Sequence, residues 1–146
     1  MTIARAATPV IPASHAGLLG APNCGVFTTL GLDGFPQSSL VWLDSDGNCP
    51  LINTTLQRQK GRNLSVSPRA SLLVVDAANT ARYLQVRGDV EFVFEGAQDQ
   101  LDELTRSYTG RPAYYGFIYP ASRREHETRV ICRLHPRRVT LDAIHA

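Results

Sequence analysis

Lysine, cysteine and net charge are all scarce in this chain of 146 residues. Lys60 is its single lysine, so arginine supplies every other permanent positive side-chain charge. Arginine favours planar, bidentate contacts with carboxylate and phosphate groups. The 3 cysteines, Cys24, Cys49 and Cys132, are far apart, which excludes a Cys-x-x-Cys pair and a zinc site built on one. We therefore expect reduced, mostly buried thiols in a cytoplasmic protein, and no bound metal.

A strong charge imbalance and a long apolar run are also absent. The formal net charge of +2 is too small for the dense basic surface of a dedicated nucleic-acid binder. No apolar stretch approaches the length that spans a bilayer, and residues 1–12 lack the apolar run of a signal peptide. The length fits one domain. We predict a flexible arm over residues 1–12, one domain over residues 13–146, and neither a membrane nor a nucleic-acid partner.

Short segments rich in β-forming residues alternate with turn signals over most of the chain. Asp33-Gly34 is typical of a tight hairpin turn, and the segment from Asp44 to Gly47 indicates a second turn. Such hairpins join antiparallel strands, so the pattern favours a small antiparallel barrel over alternating parallel strands and helices. The predicted strands cover residues 25–30, 36–43, 49–55, 71–75, 82–95, 128–134 and 138–141.

Helices are predicted between some of these strands. A short helix begins at Ser14, a basic helix ends near Val66, and an amphipathic helix over residues 97–108 is closed by Gly110. Residues 71–75 form a continuous apolar run, which predicts a strand buried on both faces. Gly88 marks a bulge or bend in its strand, and Pro136 separates the last two strands.

The segment from Leu51 to Leu64 carries the strongest functional signal. It is typical of a strand, a turn of hydroxyl and amide residues, and a short basic helix. A helix N-terminus offers unpaired N–H groups and a partial positive charge, to which cationic side chains add. The pattern predicts a socket for a phosphorylated or polyanionic ligand, although such cations also occur on the solvated face of surface helices. The residues concerned are Asn53, Thr54, Thr55, Arg58, Lys60 and Arg62.

Three motifs follow one another along the chain. The first is Val26-Phe-Thr-Thr-Leu-Gly-Leu-Asp-Gly-Phe-Pro-Gln-Ser-Ser-Leu-Val-Trp42, with its T-L-x-x-D-G-x-P turn. The second is Ile52-Asn-Thr-Thr-x-x-Arg-x-Lys-x-Arg-Asn-Leu64, followed by Pro68-Arg-Ala-Ser-Leu-Leu-Val-Val75. The third is Arg82-Tyr-Leu-x-Val-x-Gly-x-Val-Glu91. In this order they resemble the pyridoxamine 5′-phosphate oxidase-like split barrels, a superfamily of flavin- and deazaflavin-binding reductases. The last two are most similar to the branch that uses coenzyme F420.

The resemblance implies a homodimeric split β-barrel of all-β or α+β class. It would have about six to seven antiparallel strands, two to three short helices and a cofactor at the subunit interface. In the family, three sets of matching residues contact the cofactor. Residues of the first set hold its phosphate and acidic tail, and residues of the second set surround its ring and ribityl chain. Residues of the third set reach the cofactor from the partner chain. The first set is Arg58, Lys60, Arg62 and Asn63; the second is Ser38, Ser39, Leu40, Val41, Asn53, Thr54 and Thr55; the third is Arg82 and Tyr83.

The implied activity is hydride transfer from reduced F420 to an oxidised small-molecule acceptor of the enone, quinone or tetrapyrrole type. The alternatives are an FMN-dependent oxidoreductase of the same fold, and a non-catalytic protein that binds F420, FMN or haem. A hydride carrier brings its own reactive carbon, so the protein mainly positions rings and excludes water. We therefore expect no catalytic triad and assign no catalytic residue.

The aromatic segment from Tyr114 to Tyr119 departs from the short connection usual in the family. Its rings either cover the substrate site, with Tyr114 or Tyr115 as candidate proton donors, or pack against the barrel or a dimer partner. Trp42 is expected either in the core or on the cofactor ring. The residues interpreted as incidental or as solvated surface are His15, His126, His135 and His145, and the run from Arg123 to Glu127.

Overall fold

The computed structural model describes residues 9–142, which form one curled antiparallel sheet of seven strands with four short helices. The spatial strand order is β2-β1-β5-β6-β7-β4-β3. The predicted split barrel is confirmed. The strands are β1 Cys24–Leu30, β2 Pro36–Trp42, β3 Asp44–Asp46, β4 Cys49–Thr55, β5 Arg69–Val75, β6 Tyr83–Val93 and β7 Arg129–Leu141. The helices are α1 Ala13–Ala16, α2 Gln59–Val66, α3 Ala97–Thr109 and a 3-10 helix at Ala121–His126.

Alternation of side chains along the strands fills the barrel. Phe27, Leu72, Val86 and Leu134, on four neighbouring strands, are fully buried in one apolar core. The two edge strands of the sheet are β2 and β3, and β2 also lies against β4 without pairing to it. The barrel is therefore open between β2 and β4.

The structure differs from the predicted elements at three places. The residues Asp44–Asp46 pair with Cys49–Leu51 as β3, so the turn is confined to Gly47, at φ 63°, and Asn48. β5 is buried on one face only, because Leu72 and Val74 point into the core while Val75 is 37% exposed. β7 continues through Pro136. This proline lies opposite Gly88, where the pairing of β6 with β7 shifts register. Proline has no backbone N–H, and at this irregular position its absence removes no hydrogen bond between the two strands. The bulge predicted at Gly88 is confirmed.

The chain is anchored to the barrel from Pro9 onwards. Ile11 is buried in the core and its N–H donates to Asn48 Oδ1 at 2.8 Å. His15 lies in α1 and is also buried, and its Nε2 lies 2.9 Å from Asp142 Oδ1, so the expected position in a loop was wrong. The predicted flexible arm stays a prediction for residues 1–8, which lie outside the described residues, as does His145. No helix within residues 9–142 is long and apolar enough to cross a membrane.

Gly61 seats α2 on the end of β4. A Cβ at this position would overlap the Thr55 carbonyl oxygen and the Leu56 backbone. Only glycine permits this approach, and the approach fixes where the basic first turn of α2 stands relative to the barrel opening.

We expect Gly61→Ala to lower the free energy of unfolding by about 1 to 3 kcal/mol, because backbone must move to admit the methyl group. Gly17→Ala is the matched control, since nothing lies within 4 Å of its Cβ position. Urea denaturation of the two variants checks the expectation. Equal stability of both would show that α2 is not held by this contact.

Candidate functional site

A cleft of about 250 Å³ occupies the opening of the barrel between β2 and β4. The edge strand β2 forms one wall, Asn53 of β4 and Arg129 of β7 form the floor, and α3 with the aromatic segment covers the far side. The lining residues are Leu40, Val41, Trp42, Asn53, Arg58, Lys60, Leu101, Leu104, Tyr114, Ile118 and Arg129. The cleft thus joins an apolar wall to a cationic end.

The cationic end is built by the turn between β4 and α2. The backbone N–H of Arg58 donates to Thr55 Oγ1 at 3.1 Å, which fixes the entry of α2. Lys60 Nζ donates to Ser39 Oγ of β2 at 3.1 Å, so this lysine bridges the barrel opening. Burial, and then the neighbouring Arg58 charge, lower the pKa of Lys60. The half-buried Lys60 ammonium is repelled by the neighbouring guanidinium charge, and a bound anion would offset this repulsion.

Arg129 organises the floor of the cleft, and sequence reasoning missed it. Its guanidinium is buried and donates from Nε to the Tyr115 hydroxyl at 2.9 Å and from Nη1 to Asn53 Oδ1 at 3.2 Å. The same group lies 4.7 Å from the centroid of the Tyr114 ring. Arg129 therefore ties β7 to β4 and to the aromatic segment.

Glu127 is the carboxylate partner of this cluster, so assigning it to solvated surface was wrong. Its side chain is 7% exposed, and it accepts a hydrogen bond from the Tyr115 hydroxyl at 2.6 Å. It also lies 3.4 Å from Arg129 Nη2 and 3.8 Å from Arg58 Nε. Glu127 is extended and lies two positions before Arg129, the first residue of β7, so both side chains point to one face, a signal the sequence did contain.

The two candidate proton donors occupy different positions. The Tyr114 hydroxyl accepts a hydrogen bond from Arg58 Nη2 at 3.0 Å, and Tyr114 lines the cleft. Tyr115 does not line it, and its hydroxyl is held between Glu127 and Arg129. Burial, and then the hydrogen bond to Glu127, raise the pKa of Tyr115. In this arrangement Tyr114 is the one that faces a ligand.

Trp42 is half-buried at the edge of the cleft, and its packing on a cofactor ring stays a prediction. Its ring stacks on Tyr108 with centroids 5.3 Å apart, and the same residue lines the cleft. The Tyr108 hydroxyl in turn accepts a hydrogen bond from the Leu43 N–H at 2.9 Å, so α3 and β2 hold the ring pair in place. Trp42 therefore offers a rigid aromatic edge to the cleft.

The remaining β2 and β4 residues predicted for the site flank the cleft. Leu40 and Val41 line it, and Leu40 is 74% exposed. Ser38 is exposed, with its Oγ 2.8 Å from Thr28 Oγ1. Thr54 is fully buried, and its Oγ1 has no hydrogen-bond partner among the described residues. The side-chain amide of Asn53 donates from Nδ2 to the Ala97 carbonyl oxygen at 2.7 Å, and its Oδ1 accepts a hydrogen bond from Arg129. These two bonds fix the orientation of the Asn53 amide.

Besides Ser38, Ser39, Thr54 and Thr55, four further predicted residues do not line the cleft within one chain. Arg62 is exposed on α2 and donates to Gln59 Oε1 at 2.6 Å. Asn63 is fully buried and donates to Thr29 Oγ1 at 3.0 Å. Arg82 pairs with Asp76 at 3.1 Å near α1, and Tyr83 follows it at the start of β6. A role for these four toward a ligand stays a prediction.

Residues 9–142 contain no cluster of three or more histidine, cysteine or acidic side chains that suits a metal ion. The thiols are less buried than expected, since Cys24 is exposed, Cys49 is half-buried and only Cys132 is buried. Burial raises the pKa of the Cys132 thiol to about 12. His135 lies within β7 and contacts Glu91, so the expected loop position was wrong.

Sequence comparison identifies the family. The profile described as pyridoxamine 5′-phosphate oxidase matches residues 11–141. The chain belongs to this family. A pyridoxine/pyridoxamine 5′-phosphate oxidase of Thermosynechococcus vestitus is 34% identical over 82 residues, which are 56% of this chain and 38% of that protein. The match thus spans well under half the length of this curated relative.

Solved structures share the fold over nearly the whole chain. One described as an F420 reductase superposes with a TM-score of 0.73 at 31% identity, covering 89% of this chain and 98% of that chain. A conserved hypothetical protein of Mycobacterium tuberculosis superposes with a TM-score of 0.68 at 26% identity, covering 97% and 89%. A heme binding protein of Mycobacterium smegmatis, 22% identical with a TM-score of 0.56, shares the fold over 91% of this chain and 55% of that chain.

We expect Tyr115→Phe to destabilise the protein by about 1 to 3 kcal/mol, since Glu127 and Arg129 each lose a buried hydrogen-bond partner. Tyr114→Phe, which removes one bond to Arg58, should cost at most about 1 kcal/mol. Thermal and urea unfolding of the two variants compares these costs. A larger loss in Tyr114→Phe would contradict the assignment of Tyr115 as the structural member of the pair.

Proposed function

We propose that the protein is a cytoplasmic, homodimeric oxidoreductase that binds reduced coenzyme F420 and passes a hydride to an oxidised organic acceptor. The observation that carries the proposal is the convergence of Arg58, Lys60 and Arg129 on one cleft whose opposite wall is apolar and aromatic. The F420 reductase that superposes over most of this chain supports the same reading.

The residues of the cleft fit a flat cofactor with an anionic tail. Glu127 is the carboxylate in contact with Arg58 and Arg129, and Lys60 bonds only to a neutral hydroxyl in the set described. The cluster therefore has a surplus of positive charge, which a phosphate group would offset. Trp42, Leu101 and Leu104 supply the apolar surface against which a ring system packs.

In this proposal the chain positions the cofactor and leaves the redox chemistry to it. When bound, the deazaflavin would supply the hydride. Lys60 and Arg58 would hold its phosphate, with Arg62 toward the acidic tail and the buried Asn63 behind it, bonded to Thr29. Ser38, Ser39, Leu40 and Val41 of β2, with Asn53, Thr54 and Thr55 of β4, would border the ring and ribityl chain. Tyr114 would present its hydroxyl to the acceptor.

A second chain would complete the site. Leu40 lines the cleft yet is 74% exposed, and Ile118 on the other side is 42% exposed. Apolar cleft walls left open in one chain are consistent with cover from a partner. Arg82 and Tyr83, which lie away from the cleft of their own chain, would then reach the site of the partner.

FMN in place of F420 is the second candidate, because the cationic end of the cleft suits any phosphate ester. FMN carries one phosphate, whereas F420 adds a phosphodiester and an acidic tail. The two cofactors therefore differ in how many cations they use. A protein that binds either one without turnover would be a carrier.

We expect Lys60→Ala to weaken F420 binding roughly 10- to 100-fold, the loss of one charge-assisted hydrogen bond. Fluorescence titration of apo-protein with F420 and with FMN measures this. Arg62→Ala should weaken F420 more than FMN, because only F420 carries the acidic tail. Arg111→Ala, at an exposed position between α3 and the aromatic segment, is the matched control and should leave both affinities unchanged.

The outcomes separate the candidates. Tight F420 binding that depends on Lys60, together with weak FMN binding, supports the proposal. Preference for FMN moves the protein to the flavin-dependent oxidoreductases. Binding of neither cofactor rejects both. Binding without hydride transfer to enone or quinone acceptors identifies a carrier.

As pH rises, cofactor affinity should begin to fall at a lower pH than it would if Lys60 had the pKa of an ordinary lysine. Only the protonated ammonium attracts phosphate, and the pKa of Lys60 in the free protein is lowered by burial and Arg58. The affinity is therefore full below that pKa and declines as pH rises through it. Titrations between about pH 7 and pH 10 with Lys60→Arg as reference check this, because a guanidinium stays charged throughout. Parallel pH profiles for the two proteins would exclude Lys60 as the titrating group.

A further inference from the structure

A second cluster of reactive side chains lies on the outer face of the sheet. Cys132 and Leu134 of β7 point into the core, so Arg133 and His135 point outward beside β4 and β6. Cys49 Sγ of β4 lies 3.6 Å from His135 Nδ1. His135 Nε2 lies 2.9 Å from Glu91 Oε1 of β6. None of these residues lines the cleft.

The contacts define which ring nitrogen of His135 carries the proton. The hydrogen bond from His135, and then the nearby Arg133, lower the pKa of Glu91, so its carboxylate is ionised and accepts. His135 Nε2 must therefore be the donor in the neutral ring. Nδ1 is left with a lone pair, and the Cys49 thiol is the donor that faces it.

Arg133 holds the carboxylate of this arrangement in place. Its Nη1 lies 3.5 Å from Glu91 Oε1, and its Nη2 lies 2.8 Å from Asp46 Oδ2 on β3. A nucleophile within reach of a base, with the base oriented by a third group, is the pattern of an activated nucleophile. Here three strands supply the three groups.

The charges around Cys49 determine how the thiol would react. Burial, and then the Asp46 carboxylate, raise the pKa of the Cys49 thiol, while Arg133 lowers it and Glu91 raises it. The resting group is thus a protonated thiol. Attack on an electrophile then requires a base that takes the proton as the new bond forms, which is the position His135 occupies.

We infer that Cys49 is a site of reversible modification by low-molecular-weight disulfides, with His135 as its general base and Glu91 as the residue that positions His135. The Cys49 sulfur attacks one sulfur of the disulfide, forming a mixed disulfide and breaking the S–S bond of the reagent. The thiol proton passes to His135 Nδ1 and then to the departing thiolate. Cys49 is oxidised and one half of the reagent is reduced, so the exchange is balanced.

The other two cysteines provide internal references. Cys24 is exposed and, within residues 9–142, makes no hydrogen bond to a histidine. Cys132 is buried in the core with a pKa raised to about 12 and should be unreactive in the folded protein. Exposure alone would rank Cys24 as the more reactive thiol, whereas the His135 contact ranks Cys49 first.

The test follows the reaction of 4,4′-dithiodipyridine, a neutral disulfide, with the folded protein by absorbance. At pH 7, Cys49 in Cys24→Ser should react at least about tenfold faster than Cys24 in Cys49→Ser. Adding His135→Gln to Cys24→Ser should remove most of that advantage, and adding Glu91→Gln should remove part of it. Adding His135→Gln to Cys49→Ser is the matched control and should leave the Cys24 rate unchanged.

The pH profile separates a base from a structural contact. With His135 as base, the pH profile of the Cys49 rate should differ in shape from that of the Cys24 rate, and adding His135→Gln to Cys24→Ser should remove the difference. His135 is half exposed, so its replacement should preserve the fold, which a melting curve verifies. A Cys49 rate no faster than that of Cys24, or one unchanged by His135→Gln, would overturn the inference. The test requires no cofactor, so its result is independent of the proposed oxidoreductase activity.

Discussion

The buried guanidinium of Arg129 is the constraint on which the cleft depends. It is bonded to Asn53 on β4, to Tyr115 in the aromatic segment and to Glu127 just before its own strand. A buried charge without such partners would be strongly unfavourable, and removing one partner from a buried pair costs about 3 to 5 kcal/mol. The position of the aromatic segment is therefore a consequence of where this charge must be compensated.

The charges around the cleft do not cancel, and a net positive charge remains. Glu127 is shared between Arg58 and Arg129, while Lys60 faces Ser39. A lysine whose pKa is lowered by folding destabilises the folded state while its ammonium is charged. That loss of stability is full below the folded-state pKa, shrinks as pH rises through it, and is gone above the pKa of the unfolded state. Keeping the ammonium at this place costs stability in the free protein. An anionic ligand would recover that cost on binding, so the surplus charge is evidence about the ligand as well as about the fold.

The local parts of this architecture could be predicted from the sequence, and the long-range ones could not. Asp33-Gly34 and the glycine that closes α3 identify turns and ends that depend on a few neighbouring residues. The one-sided burial of β5 could not be derived from an apolar run, because that pattern does not record which face meets solvent. The continuity of β7 depends on Gly88, a residue of another strand, so Pro136 alone suggested a break. The burial of Glu127 and of His15 was missed for the same reason, since their partners are distant in sequence or unknown until the chain is folded.

The choice of lysine at position 60 follows from the geometry of the barrel opening. Arginine supplies every other permanent side-chain cation of the chain, so a general preference for arginine does not account for this position. An ammonium is a compact point charge on a flexible stem, whereas a guanidinium presents five donors in a rigid plane. Lys60 reaches across the opening to the single hydroxyl of Ser39, with the Arg58 guanidinium nearby. A second planar cation here would leave donors unpaired beside a like charge, whereas the ammonium keeps its remaining donors directed at the cleft.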